Sequence, residues 1–124
     1  PDLNEATPGD ARDTTTPAAM ARTLAKLTTG DALSAASREL LIGWMVGCKT
    51  GAARLRAGLP AGWRIGDKTG SGAHGSSNDI AVIWPPERAP LIVTSYLTET
   101  DALADDHRNA VHAEVGRIVA RQFG

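Results

Sequence analysis

The sequence predicts an α+β fold in which helices come first, a three-strand antiparallel meander follows, and a last helix packs against the sheet. Three observations carry that prediction. Apolar residues recur at helical spacing as far as residue 48, extended β-rich runs occupy 63–98 with short connections, and helical periodicity returns at the carboxyl end.

The elements follow in order. Residues 1–16, "PDLNEATPGDARDTTT", mix Pro, Gly, Asp, Asn and Thr without an apolar period and read as loop. Thr16-Pro17 supplies an N-cap hydroxyl and a proline at the first helical position, and Ala18, Ala19, Met20, Leu24 and Leu27 continue at helical spacing, so a helix is expected over 17–28, stopped at Gly30. Ser34 caps a second expected helix that runs through Cys48. Its stretch from Leu40 to Cys48 carries no charge on any face, the pattern of a helix enclosed on all sides, with Cys48 as a buried, inert thiol. In "KTGAARLRAGLPAGW" glycine and proline mark turns around one short helical turn. Strands are expected at Trp63–Ser71, Asn78–Trp84 and Leu91–Thr98. Their short connections dictate an antiparallel meander. Asp101 is the expected cap of the last helix, with Asp105 and Asp106 in its first turn and Arg117 and Arg121 in its last. Val111, Val115, Ile118 and Val119 form its apolar stripe, expected to lie across the meander.

Composition removes several functional classes. The chain has 124 residues, the size of one domain, and its 13 Lys plus Arg against 14 Asp plus Glu leave no positive excess for a phosphate backbone or an anionic membrane surface. Neither nucleic acid nor membrane is an expected partner. The amino terminus has neither a basic head nor an apolar signal core, so an exported form is expected to have lost its leader; it also opens in what reads as the middle of a loop, as if inside a domain. No metal or other cofactor is expected. His74 lies in a glycine loop, and His107 and His112 are five apart, off the i, i+4 spacing of two ligands on one helix face, so all three read as surface histidines.

The stretch "IGDKTGSGAHG", residues 65–75, holds two competing motifs. Gly70-Ser71-Gly72-Ala73-His74-Gly75 spells G-x-G-x-x-G, but a dinucleotide loop must turn into a helix whose amides hold pyrophosphate, and here the glycines lead into a strand. A kinase-type glycine loop needs a lysine on the next strand, which "NDIAVIW" lacks. Lys68-Thr69-Gly70 is the other motif. Strand alternation puts the hydroxyls of Thr69 and Ser71 on one face and Lys68 on the other, while Gly70 and Gly72 leave the strand bare enough for a ligand to pair with its backbone. That arrangement suits an acyl substrate bearing a carboxylate.

With its surroundings, this motif resembles class A serine β-lactamases. "DKTGSG…NDIAVIWPP" resembles their K-T-G strand, loop and following strand, and "PDLNEATPGDARDTTTPAAMA" the end of their Ω-loop with the next helix; "TGAARLRAGLP" lies between, so the similarity spans nearly the whole chain. The resemblance implies the carboxyl-terminal part of the β-lactamase/transpeptidase-like fold, divided as Ω-loop remainder 1–16, part of a helical subdomain 17–62, and meander with last helix 63–124. It implies that Lys68 supports acylation electrostatically, that Thr69 and Ser71 bind the β-lactam carboxylate beside Gly70 and Gly72, and that the Ser71 amide is half of the oxyanion hole. It further implies that Arg54, with Thr50 nearby, reinforces Lys68, that Asn4 helps hold the deacylating water, and that Asp13 closes the neck of the Ω-loop through an ion pair. A periplasmic or secreted location comes with it.

Other parts of the family pattern do not occur here. No serine is followed three residues later by lysine, S-D-N is absent, and Glu5 is not the deacylating glutamate, which belongs immediately before Pro1. The expectation is a chain inactive alone, completed by an N-terminal fragment of the same enzyme or by a second copy exchanging elements. A non-catalytic binding module of the same fold is the alternative, and a penicillin-binding transpeptidase relative shares K-T-G but fits "NDIAVIWPP" less well.

Overall fold

The computed structural model describes residues 5–124, so Asn4 lies outside the described residues. Helix α1 spans Pro17–Thr28 and is capped as expected: the Thr16 hydroxyl accepts from the Ala19 amide at 3.2 Å. Helix α2 spans Ala35–Val46, with the Ser34 hydroxyl accepting from Ser37 N at its start, and it ends two residues before Cys48. A single 3-10 turn, Leu55–Gly58, precedes strands β1 (Arg64–Ser71), β2 (Ser77–Trp84) and β3 (Leu91–Leu97), and helix α3 closes the chain over Asp105–Phe123.

The sheet is the expected meander, β1-β2-β3, antiparallel throughout. Its register pairs Thr69 with Asp79 and Ser71 with Ser77, and Asp79 in turn with Ser95. Because side chains alternate across a strand, these residues share one face. On that face Leu55, Ile65, Ala81 and Ile83 form a buried cluster, with Val115 and Val119 of α3 packed against it. The opposite face carries Val82, Ile80 and Ile92 against Leu24 of α1 and Met45 of α2. The sheet is thus sandwiched, and α3 meets the 3-10 turn at unusually close range. A Cβ on Gly58 would stand 2.0 Å from the Ala113 carbonyl, and one on Gly116 would stand 2.3 Å from the Leu55 carbonyl, so two glycines set the distance between these backbones.

Three expectations are corrected. Asp101 does not cap α3; Ala104 occupies that position without a side-chain bond, and the first-turn Asp105 and Asp106 supply the favourable charge instead. The α3 stripe divides: Val115 and Val119 face the core, whereas Val111 and Ile118 are exposed, because the α3 contact runs through Ala113 and Gly116, where a methyl group and a bare Cα allow close approach. Helix α2, whose enclosure was expected to need an N-terminal fragment or a second copy, is left open by the described residues: Leu40 is 53% and Trp44 68% exposed and only Met45 is buried. Cys48, past the end of α2, is half-buried, with its Sγ 3.5 Å from the Thr50 hydroxyl.

Candidate functional site

The Lys68–Ser71 segment of β1 is an edge strand held from the side by the turn that carries Thr50 and Arg54. Thr50 Oγ1 and Thr69 Oγ1 share a short hydrogen bond of 2.5 Å. Arg54 is engaged through all three nitrogens: Nε donates to Asn109 Oδ1 of α3 at 3.0 Å, Nη1 to the Gly70 carbonyl at 2.8 Å and to the Asn78 carbonyl, and Nη2 to Ser71 Oγ at 2.8 Å. A planar guanidinium can do this because its donors are fixed in a fork. The result is a positive charge locked behind Gly70 and Ser71. Lys68 points to the other face, as alternation requires, exposed, its Nζ donating to the Thr69 carbonyl.

Two concavities flank the segment. One, about 860 Å³, is walled by Gly70, Ser71, Gly72, Asn78 and Tyr96 on the sheet and by residues from Glu5 to Pro17 opposite. Asp13 lies on that wall, exposed, with φ 55°. The other, about 450 Å³, has an apolar lining that includes Leu24, Leu41, Trp44, Met45 and Ile80, with Lys68 at its rim. Thr69, Gly70, Ser71, Gly72, Thr50 and Arg54 are therefore brought together, and Lys68 stands beside them on the opposite face.

On the same sheet face as Thr69 and Ser71 lies a buried polar layer that the sequence reading did not identify. Asp67 is fully buried and forms an ion pair with Arg56, while Asp79, equally buried, accepts from the Leu55 amide at 3.1 Å through Oδ2. Burial, together with the neighbouring Asp67 charge, pushes the Asp79 carboxyl up to about 7, against the opposing pull of the Leu55 amide and of Arg54 and Arg56. His112 corrects the expectation of a surface histidine. It is fully buried, bonded to Ser95 Oγ at 2.7 Å and Ser77 Oγ at 3.1 Å, and its pKa is lowered by burial and by the Arg54 charge, so the ring is held neutral. Two hydroxyls that donate and accept at need satisfy both ring nitrogens. His74 and His107 are exposed, as expected. Asn109 gave no sequence signal, because nothing in a helical asparagine announces an arginine 55 positions away. Asp67 did stand in the motif stretch, and its burial alone distinguishes it.

Comparison with known proteins places this geometry in context. The model of the "Beta-lactamase enzyme family" matches residues 1–123. The chain is 51% identical over 123 residues to β-lactamase CTX-M-6 of Salmonella typhimurium, covering 99% of this chain and 42% of that protein. It is also 51% identical over 123 residues to β-lactamase AST-1 of Nocardia asteroides, covering 99% of this chain and 39% of that protein. Among solved structures, an ancestral class A β-lactamase (GNCA) superposes with a TM-score of 0.96 at 67% identity, over 99% of this chain and 47% of that one. The chain spans less than half the length of the curated relatives it matches.

Proposed function

The chain belongs to the β-lactamase enzyme family, and we propose from that premise that it supplies one wall of a serine β-lactamase site: carboxylate recognition, half of the oxyanion hole, and electrostatic support for acylation. The observation that carries this reading is the Arg54 cage, which fixes positive charge and the Ser71 hydroxyl at one end of a strand whose glycines leave the backbone accessible. A β-lactam carboxylate approaching Thr69 and Ser71 meets two hydroxyls and that charge. The Ser71 amide then donates to the oxygen of the attacked carbonyl as negative charge develops on it. Lys68, on the neighbouring face, lowers the cost of charge separation at a serine facing the apolar cavity. With Asn4 outside the described residues, its part in holding water rests on the resemblance, as does the ion pair of Asp13 at the loop neck.

The nucleophile, the S-D-N residues and the deacylating glutamate come from an N-terminal part of the same enzyme, whose helices would cover Leu40, Trp44 and the cavity lined by Leu41 and Met45. Cofactor and metal are not part of the reaction, and the working location is periplasmic or secreted. The test is reconstitution. Mixed with the N-terminal segment of a class A relative, the chain is expected to hydrolyse a chromogenic β-lactam, with the acyl adduct found by mass spectrometry on a serine of the added segment. A stable acyl adduct on any serine of the 124-residue chain would overturn the assignment, as would a folded assembly without turnover.

A further inference from the structure

The mechanism leaves a buried acid pair unused. Asp67 and Asp79 stand on one face of adjacent strands: Asp79 is opposite Thr69 in register, so Asp67 is its diagonal neighbour, within side-chain reach. Both are wholly shielded from solvent, and each has one bonded oxygen and one without a partner among the described residues, Asp67 Oδ2 and Asp79 Oδ1. Orphan buried oxygens are rare, and they cost free energy that a shared proton removes by turning one of them into a donor. No room exists to relax the pair outwards, since a Cβ on Gly51 would already fall 1.6 Å from Asp67 Oδ2.

We propose that Asp67 and Asp79 form a proton-sharing carboxyl pair that positions the Lys68–Ser71 strand. The pair ties three segments together. Asp67 immediately precedes Lys68 and holds Arg56; Asp79 holds the Leu55 amide; and Leu55 and Arg56 follow Arg54, whose guanidinium grips Gly70 and Ser71. With one proton the pair carries a single negative charge. Arg56 then balances it through its ion pair. Without that proton two carboxylates face each other away from water. The other charged or titratable groups on this face are Arg54, from the same turn, and His112, from α3, which is bonded to the Ser95 that pairs with Asp79. From β3 the facing residue is Ser95, which carries no charge, and Lys68 lies on the opposite face.

The sign follows from linkage. A carboxyl that titrates higher folded than unfolded makes the folded state bind more protons, so its contribution to stability is complete below the unfolded value of 3.8 and is lost as pH rises through about 7. The buried neutral His112 acts in the opposite sense, so the two must be separated by substitution.

Thermal unfolding across pH, without β-lactam, tests the pairing on the chain in its folded state, alone or with the N-terminal segment. Between about pH 5 and about pH 8 the wild-type melting temperature should fall by about 5 °C relative to Asp79→Asn, whose amide mimics the protonated acid. Asp67→Asn should move that transition to lower pH, because it removes the neighbouring negative charge. If either variant fails to fold, carbon-13 NMR of Asp-labelled wild type still decides: one carboxyl should titrate with a midpoint near 7. A constant difference from Asp79→Asn, a transition unmoved by Asp67→Asn, or aspartates that all ionise in the ordinary range would overturn the shared proton. The positioning role rests on the hydrolase reading and has its own measurement. In the reconstituted enzyme, single-turnover acylation should decline as pH rises through the wild-type transition, and Asp79→Asn should remove that decline. Coincident pH profiles would overturn positioning while leaving the proton result standing.

Discussion

At the scale of single residues, the guanidinium of Arg54 explains why the Lys68–Ser71 segment has a fixed shape. Four acceptors from three elements hold it. Replacing it by Lys keeps the charge but offers no planar fork, so in the reconstituted enzyme Arg54→Lys should lose most of what Arg54→Ala loses, about tenfold in acylation rate. Equal rates for Arg54→Lys and wild type would show that charge alone matters there. Lys68→Ala should cost more, roughly 10²–10³-fold in single-turnover acylation, because on the proposed reading it removes a preorganised charge beside the reacting serine. His112 is a second residue whose environment decides its role. Truncation to Ala leaves a cavity and two hydroxyls short of a partner, a loss of about 3 kcal/mol by chemical denaturation. Its folded pKa is depressed, so the stability conferred by the neutral ring is present above the ordinary 6.5 and lost as pH falls below it.

At the scale of elements, the α3 contact with the 3-10 turn is the joint on which the site depends, since the turn positions Arg54 and Arg56 and α3 contributes Asn109. Two glycines permit that contact. Gly116→Ala should therefore push α3 away from Leu55 and destabilise the fold by about 2 kcal/mol, through overpacking against a backbone carbonyl that cannot rotate aside. Denaturant unfolding measures it, and a loss below about 0.5 kcal/mol would mean that the joint yields without cost. Gly43→Ala, at an exposed position where the added Cβ meets nothing within 4 Å, gives the reference for a harmless substitution.

At the scale of the whole molecule, the chain has one finished side and one unfinished side. The sheet face beneath α3 is filled by aliphatic side chains, although Val111 and Ile118 stay exposed on the outside of that helix, whereas α2 leaves Leu40 and Trp44 exposed beside an apolar cavity, and the outer edges of β1 and β3 are unpaired in the described sheet. Such an edge and patch favour association. Size-exclusion with light scattering on the chain alone should show association or aggregation, and addition of the N-terminal segment should convert it to a single 1:1 species. Trp44 fluorescence should shift to the blue as that surface is covered. A cooperatively unfolding monomer would establish instead that this chain is autonomous.

What the sequence determined by itself was local. Helix α1 was legible because Thr16-Pro17 is a capping signal, and the three strands because β-rich runs alternate between glycine- and proline-marked turns; the antiparallel order followed from short connections, and the two-residue period put Thr69 and Ser71 on one face. The K-T-G wall was legible for the same reason, being contiguous in the chain. Only the tertiary structure decided what lies between distant segments: that Arg54 bonds Asn109, that His112 is buried between Ser77 and Ser95, and that Asp67 and Asp79 share one dry layer. Periodicity reports which way a side chain points and not what meets it there. For a polar residue, the energetic outcome depends on that partner, so a histidine or aspartate reads as surface until another element is folded against it.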